Sequence, residues 1–169
     1  MAVYSLFVPG QTAGANAVHF DLFNVAGGNL QVLSVVPVAS GAAAVTGVVA
    51  VDIFLTRTTA VGTSGTAATY EGTSLTAMTI TCQDGTQTLG AHYVTARLTP
   101  TGGATAAGVI SWASVFTEET NAGTYVAYDN MVKLGIAINV PVGQGVRVVQ
   151  GSVASVGVVG YNVTFTKSV

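Results

Sequence analysis

Charge is what this sequence has least of. Five Lys and Arg and seven Asp and Glu make up 7% of 169 residues, against about a quarter in an ordinary soluble domain. The balance of −2 offers no basic stripe, which excludes nucleic-acid binding as the main role. A single cysteine, Cys82, excludes an intrachain disulfide, and it is read as a small buried hydrophobe. Two histidines and that lone cysteine have no metal-ligand spacing, and no cofactor motif is present. Only four prolines, with half the chain hydrophobic, exclude a disordered chain. Helix formers are scarce too. Val, Thr, Ala and Gly dominate, and no window carries a helical period, so the composition is that of strands.

Scarce charge has a consequence for the surface. A folded monomer of this mass exposes roughly 7,700 Å², or roughly 640 Å² per charged side chain. Such a surface favours association, so much of it is expected to be covered by other subunits.

A long uncharged run, Leu30–Val51, is the one candidate for a membrane span. Pro37, Gly41 and Gly47 punctuate it, and no Lys or Arg flanks it. It reads instead as two Val-rich strands around a small-residue turn, Ala39–Gly47. The start, MAVYSLFVPG, has no basic region of a signal peptide, and aromatics at 8% are too few for the girdles of an outer-membrane barrel. Synthesis in a cytoplasm, without insertion in a bilayer, is the expectation.

Alternation and turn residues place the strands. They are Ala17–Asn24, Leu30–Val38, Val48–Thr58, Thr73–Cys82, Ala91–Leu98, Val109–Thr117, Tyr125–Tyr128, Lys133–Val140, Val146–Val149 and Val156–Thr166. Within Val48–Thr58, Val49, Val51, Ile53 and Leu55 form an inward face and Asp52, Phe54 and Thr56 an outward one. Gly-rich turns separate the strands, as in Gly27-Gly28-Asn29 and Thr99–Gly103. The predicted fold is all-β: one domain over residues 17–169, a jelly-roll-like β-sandwich with double Greek-key winding. Residues 1–16 precede it as an apolar arm or a first strand. An internal echo supports two related hairpins, since Gly41–Thr56 aligns on Gly151–Thr166 with six identities in sixteen positions. The arm reading assigns Val3, Tyr4, Leu6 and Phe7 to an interface with a neighbouring subunit in a homo-oligomer, a trimer by preference. Tyr125 and Tyr128 are further interface candidates, because tyrosine is enriched there.

Groups for catalysis are thin, and no enzymatic activity is expected. His19 and Asp21, two apart, share a strand face and are read as a partly exposed polar pair without a third orienting group. His92 lies on another predicted strand. Glu118 and Glu119, being adjacent, point to opposite faces. Asp129-Asn130 lacks the acidic period of a calcium loop. Gly143-Gln144-Gly145 lacks the rest of a phosphate loop and reads as a tight turn. Trp112 is either the main filler of a Val/Ala core or a sugar-stacking platform. One isolated Trp without neighbouring aromatics and carboxylates is a poor carbohydrate site, so core is preferred.

From Phe20 to Thr69 the chain resembles tailed-bacteriophage virion proteins of the capsid decoration or cement type. The resemblance lies in the strand end Leu22-Phe23-Asn24, the Gly27-Gly28 turn and the Val45-Thr46-Gly47-Val48 hairpin. It continues through Asp52–Arg57, Thr58-Thr59 and Gly62-Thr63-Ser64-Gly65-Thr66-Ala67. At the carboxy end it is carried by Pro141–Val148 and Tyr161–Lys167. It implies a jelly-roll-like domain on the capsid surface that contacts the major capsid protein or another virion protein, with no catalytic residue and no cofactor. The alternatives are a tail, baseplate or head-fibre component that meets the host, and a carbohydrate-binding β-sandwich.

Overall fold

The computed structural model describes residues 1–12, 14–39, 49–85, 87–103, 105–117, 130–133, 135–152 and 158–169. Among them the chain is all strand and turn. The strands are β1 (Ala2–Thr12), β2 (Val18–Asn24), β3 (Leu30–Ala39), β4 (Val49–Thr58), β5 (Thr66–Ala67), β6 (Thr69–Tyr70), β7 (Thr79–Cys82), β8 (Val94–Leu98), β9 (Thr105–Thr117), β10 (Ile138–Val140), β11 (Gln144–Gln150) and β12 (Val158–Lys167). They form two six-stranded sheets packed as a sandwich. Sheet A runs β10-β3-β12-β1-β7-β6 and sheet B runs β5-β8-β2-β11-β4-β9.

The pairing is nested. β1 pairs antiparallel with β12, β2 with β11, β3 with β10 and β4 with β9. The first strand therefore meets the last, and each inner pair follows in turn. The insert β5–β8 widens both sheets on one side, with β7 against β1 and β8 against β2.

Alternation decides what faces inward. Tyr4, Leu6 and Val8 of β1 interleave with Tyr161, Val163 and Phe165 of β12 on the inner face of sheet A, all at most 1% exposed. Tyr4 stacks on Phe165 at 5.5 Å between ring centroids. Phe20, Leu22, Ile53, Leu55, Val146 and Val148 face them from sheet B. The sequence echo keeps this phase: Ile53 and Leu55 of β4 correspond to Val163 and Phe165 of β12, inward in opposite sheets. Its hairpin tips lie outside the described residues.

The N-terminal segment is not a free arm. It is the first strand of its own sheet, hydrogen-bonded between β12 and β7 from Tyr4 to Phe7. Tyr4 and Leu6 are core, while Val3 is half-buried and only Phe7 of the four reaches solvent substantially, at 43%. The physical reason is pairing on both edges from Tyr4 to Phe7, which satisfies backbone groups that an arm would leave open. The strand also continues past Pro9 to Thr12. A register shift between Val8 and Gln11 absorbs Pro9-Gly10, and pairing resumes at Gln11 and Thr12. Gly160 opposite allows this close approach, because a Cβ there would lie 2.9 Å from the Val8 carbonyl oxygen.

Other expectations shift at their edges. Thr73–Cys82 is a strand only over Thr79–Cys82, and Lys133–Val140 only over Ile138–Val140. The Gly/Thr/Ser-rich stretch Ala60–Ala68, between expected strands, contributes β5. Tyr125–Tyr128, and with it the interface candidates Tyr125 and Tyr128, lies outside the described residues.

Truncating Leu6 to Ala is expected to cost about 2–5 kcal/mol of stability in chemical denaturation, as for a buried core leucine. A cost near zero would restore the arm.

Candidate functional site

Several charged and polar side chains are inside rather than out. Asp21, predicted to be half exposed beside His19, is fully buried on β2. Its Oδ2 accepts from the Gly62 N–H at 2.9 Å, and its Oδ1 from the Arg97 N–H at 3.1 Å. The Arg147 guanidinium lies 3.5 Å from Oδ2, and Arg147 Nη1 donates to the Gly103 carbonyl at 3.2 Å. Asp21 and Arg147 thus fasten the 60–65 and 99–103 loops over the outside of β2, which explains why that strand is covered on both faces. Gly62 is required there, since a Cβ would come within 2.5 Å of Asp21 Oδ2. Burial pushes the Asp21 carboxyl up, against the pull of Gly62, Arg147 and Arg97.

His19 does not join Asp21. A register shift between Val148 and Val149 of the neighbouring strand accompanies its turn into the sandwich. Its Nδ1 lies 2.5 Å from the Tyr161 hydroxyl and its Nε2 3.3 Å from Gln150 Oε1. Gln150 Oε1, an acceptor, also takes the Gly14 N–H, so the ring is the neutral Nε2–H tautomer with Tyr161 donating to Nδ1. Burial lowers the His19 pKa, and the hydrogen bond that its ring donates to Gln150 opposes this. His92 is exposed against Tyr93 at the other end of β2. The two histidines are therefore apart.

At the same end as Tyr93, Lys167 is fully buried. Its Nζ donates to Asn24 Oδ1 at 2.8 Å, to the Ala26 carbonyl at 2.6 Å and to the Gly28 carbonyl. The Gly27-Gly28 turn is thereby tied to the last strand. Burial lowers the Lys167 pKa. Cys82 is buried as expected, and its thiol donates to Asp84 Oδ1 at 2.9 Å.

With Asp21, Arg147 and Lys167 inside, no more than nine of the twelve charged side chains remain for a surface of 7866 Å². The two outer faces share them unequally. In the six strands of sheet A the one charged residue is Lys167, turned inward. The outer face of that sheet is a neutral lattice. Thr81, Ser5, Thr164 and Ser34 are in register across β7, β1, β12 and β3. Thr79, Phe7, Asn162 and Val36 form the next row. Phe7, Leu33 and Val38 are exposed on this sheet, and a hollow of about 320 Å³ opens beside Phe7, Val38 and Asn162.

Sheet B is different. Trp112, predicted as core, is 62% exposed on β9. Its inward neighbour Ala113 takes the core position, and a register shift between Leu55 and Thr56 lets Ile110 pack against the core while Val109 and Trp112 face out. Val18, Val149, Phe54 and Trp112 are cross-strand partners in one apolar row over β2, β11, β4 and β9. Above that row Ser114 Oγ donates to Asp52 Oδ1 at 2.5 Å. Below it Arg147 is registered with Thr56. A hollow of about 440 Å³ runs from Val109 over Phe54, Val149 and Val18 to Asn16 and Ser152, with Trp112 beside it as the cross-strand partner of Phe54. A second of about 160 Å³, sharing Phe54 and Ser152, reaches Asp52. The sequence missed this arrangement because the aromatic and carboxylate neighbours of Trp112 come from β4, some sixty residues away.

Among the described residues no group of His, Cys, Asp and Glu is placed to hold a metal ion. No described helix is long and apolar enough to cross a membrane.

Two measurements check the buried polar groups. Replacing Arg147 with Met leaves the Asp21 carboxylate inside without its cation, and is expected to cost about 3 kcal/mol in denaturation; a neutral change would mean that the pair is exposed. For His19, the unfolded chain takes up a proton before the folded one. Its contribution is therefore complete above the unfolded value near 6.5 and is lost as pH falls below that. Wild type is expected to melt several degrees lower at pH 5.5 than at 7.5, and His19→Gln to show a clearly smaller drop. Equal drops would remove the histidine from the account.

No protein-family model, no curated protein and no solved structure matches this chain, so the functional reading rests on the chemistry of these two faces.

Proposed function

We propose that this chain is a structural virion subunit of the decoration or cement type that seats the outer face of sheet A on the capsid. The observation that carries this reading is the absence of outward charge from all six strands of that sheet. Charged side chains keep sheet faces and edges from associating. A broad face of Ser, Thr and Asn with Phe7 and Val38 can be covered without desolvating any ion. A trimer stays the working order of self-association, which the N-terminal strand does not mediate as a detached arm. The nested strand pairing supports jelly-roll winding, as the resemblance to decoration proteins implies. The role is adhesive: many copies, each covering a modest area, reinforce a shell through multivalency.

Asn162 is exposed and Thr164 half-buried on this face, so both can be altered without disturbing the core. In cosedimentation with capsids assembled from the major capsid protein, wild type is expected to pellet with the shell. The Asn162→Lys, Thr164→Lys double variant is expected to bind about a hundredfold more weakly, the effect of about 3 kcal/mol for an unpaired charge in a covered interface. Its melting temperature should stay within a few degrees of wild type. Undiminished binding of the variant, or no binding by wild type, would overturn the proposal.

A further inference from the structure

The apolar row of sheet B lies on the face opposite the one assigned to attachment, and its chemistry is of another kind. We propose that the groove over Val149 and Phe54, with Trp112 at its border, is a binding site for a neutral oligosaccharide. This does not depend on the role given to sheet A.

The row crosses four strands at the usual spacing, so it is about 14 Å long, the reach of a short sugar chain. Trp112 and Phe54 are direct cross-strand partners. Together they present adjacent aromatic surface, Trp112 at 62% exposure and Phe54 half-buried beside it. The negative face of an aromatic ring attracts the polarised C–H groups on one side of a pyranose. The hydroxyls of the sugar then need partners at the rim. Asp52 supplies them on one side: Ser114 Oγ already holds Oδ1, which orients the carboxylate and leaves it further acceptor sites. Thr56, Asn16 and Ser152 supply hydroxyl and amide groups along the hollow.

A concave site with an aromatic floor and a few polar groups at its border fits a small ligand. The ligand is neutral because the two charged groups at the groove, Asp52 and Arg147, carry opposite sign, and Arg147 is 3% exposed and already engaged by Asp21 and Gly103. A stable protein interface takes about 800 Å² on each partner, a broader patch than a single row about 14 Å long. Sheet A offers the contrast: its outer face has hydroxyls and apolar groups but no outward tryptophan and no carboxylate on its strands.

Trp112 is the sole tryptophan, so its emission reports on this groove alone. Maltohexaose, cellohexaose and chitohexaose are titrated separately into the full chain. Saturable quenching or a blue shift with at least one of them is expected. Calorimetry with the responding sugar should show Phe54→Ala weakening binding at least about tenfold and Asp52→Asn several-fold, both with melting temperatures near wild type. Ile136→Ala, exposed at 64% and outside the groove, should bind as wild type does. No saturable response to any of the three sugars would overturn the proposal. So would binding that survives both groove substitutions. An emission shift that follows protein concentration in the absence of sugar would also overturn it, by assigning the face to a second copy of the chain.

Discussion

The structure depends on keeping its few buried ions satisfied by backbone groups from distant parts of the chain. Asp21 is the clearest case. A carboxylate on the outside of β2 would ordinarily face water, yet it takes the N–H groups of Gly62 and Arg97 and the Arg147 guanidinium. An ion removed from water is tolerated only with such company. Loops that would otherwise be loose are therefore held on sheet B. Lys167 does the same work at the other end, with Asn24 and two turn carbonyls in place of a counter-ion. His19, Tyr161 and Gln150 close the interior near Gly14 with a neutral network. A chain with twelve charged residues that places three of them inside has little charge left for its exterior.

The exterior then divides by sheet. Among the described residues the strands of sheet A carry no outward charge, whereas sheet B carries Asp52, Arg57, Arg97 and the aromatic row among its strands. Neutral hydroxyl-bearing surface gives up little hydration energy when covered, and it specifies little. An aromatic groove edged by a carboxylate gives up more and specifies more. The two proposals follow this division. One face is suited to broad contact repeated over many copies, and the other to a defined small ligand displayed on the opposite side.

Much of the sandwich was legible in the sequence. Val-rich segments with period two, cut by Gly-rich turns, located most of the long strands, and Ile53 and Leu55 were assigned inward correctly. What failed had specific causes. Residues Ala2–Val8 are apolar on both faces, so pattern alone could not decide between a detached arm and an interior strand. In Ile110–Phe116 the inward residue is Ala113, which gives no hydrophobic signal, while Trp112 gives a strong one in the outward position. On β2 the burial of Asp21 depends on the Gly62 loop and on Arg147, forty-one and 126 residues away in sequence, and no local pattern encodes that. The candidate groove was hidden for the same reason, because its parts converge only after β4, β9 and β11 pair.

Side-chain reactivity tests the division of the two faces most directly. Hydroxyl-radical footprinting would be run on the free chain and on the chain bound to capsids, with modification read residue by residue. Phe7, Leu33 and Val38 are expected to be strongly protected on binding, while Trp112 stays as reactive as in the free chain. Reactive Phe7 and Val38 beside a protected Trp112 would contradict the account, because the covered face would then be sheet B.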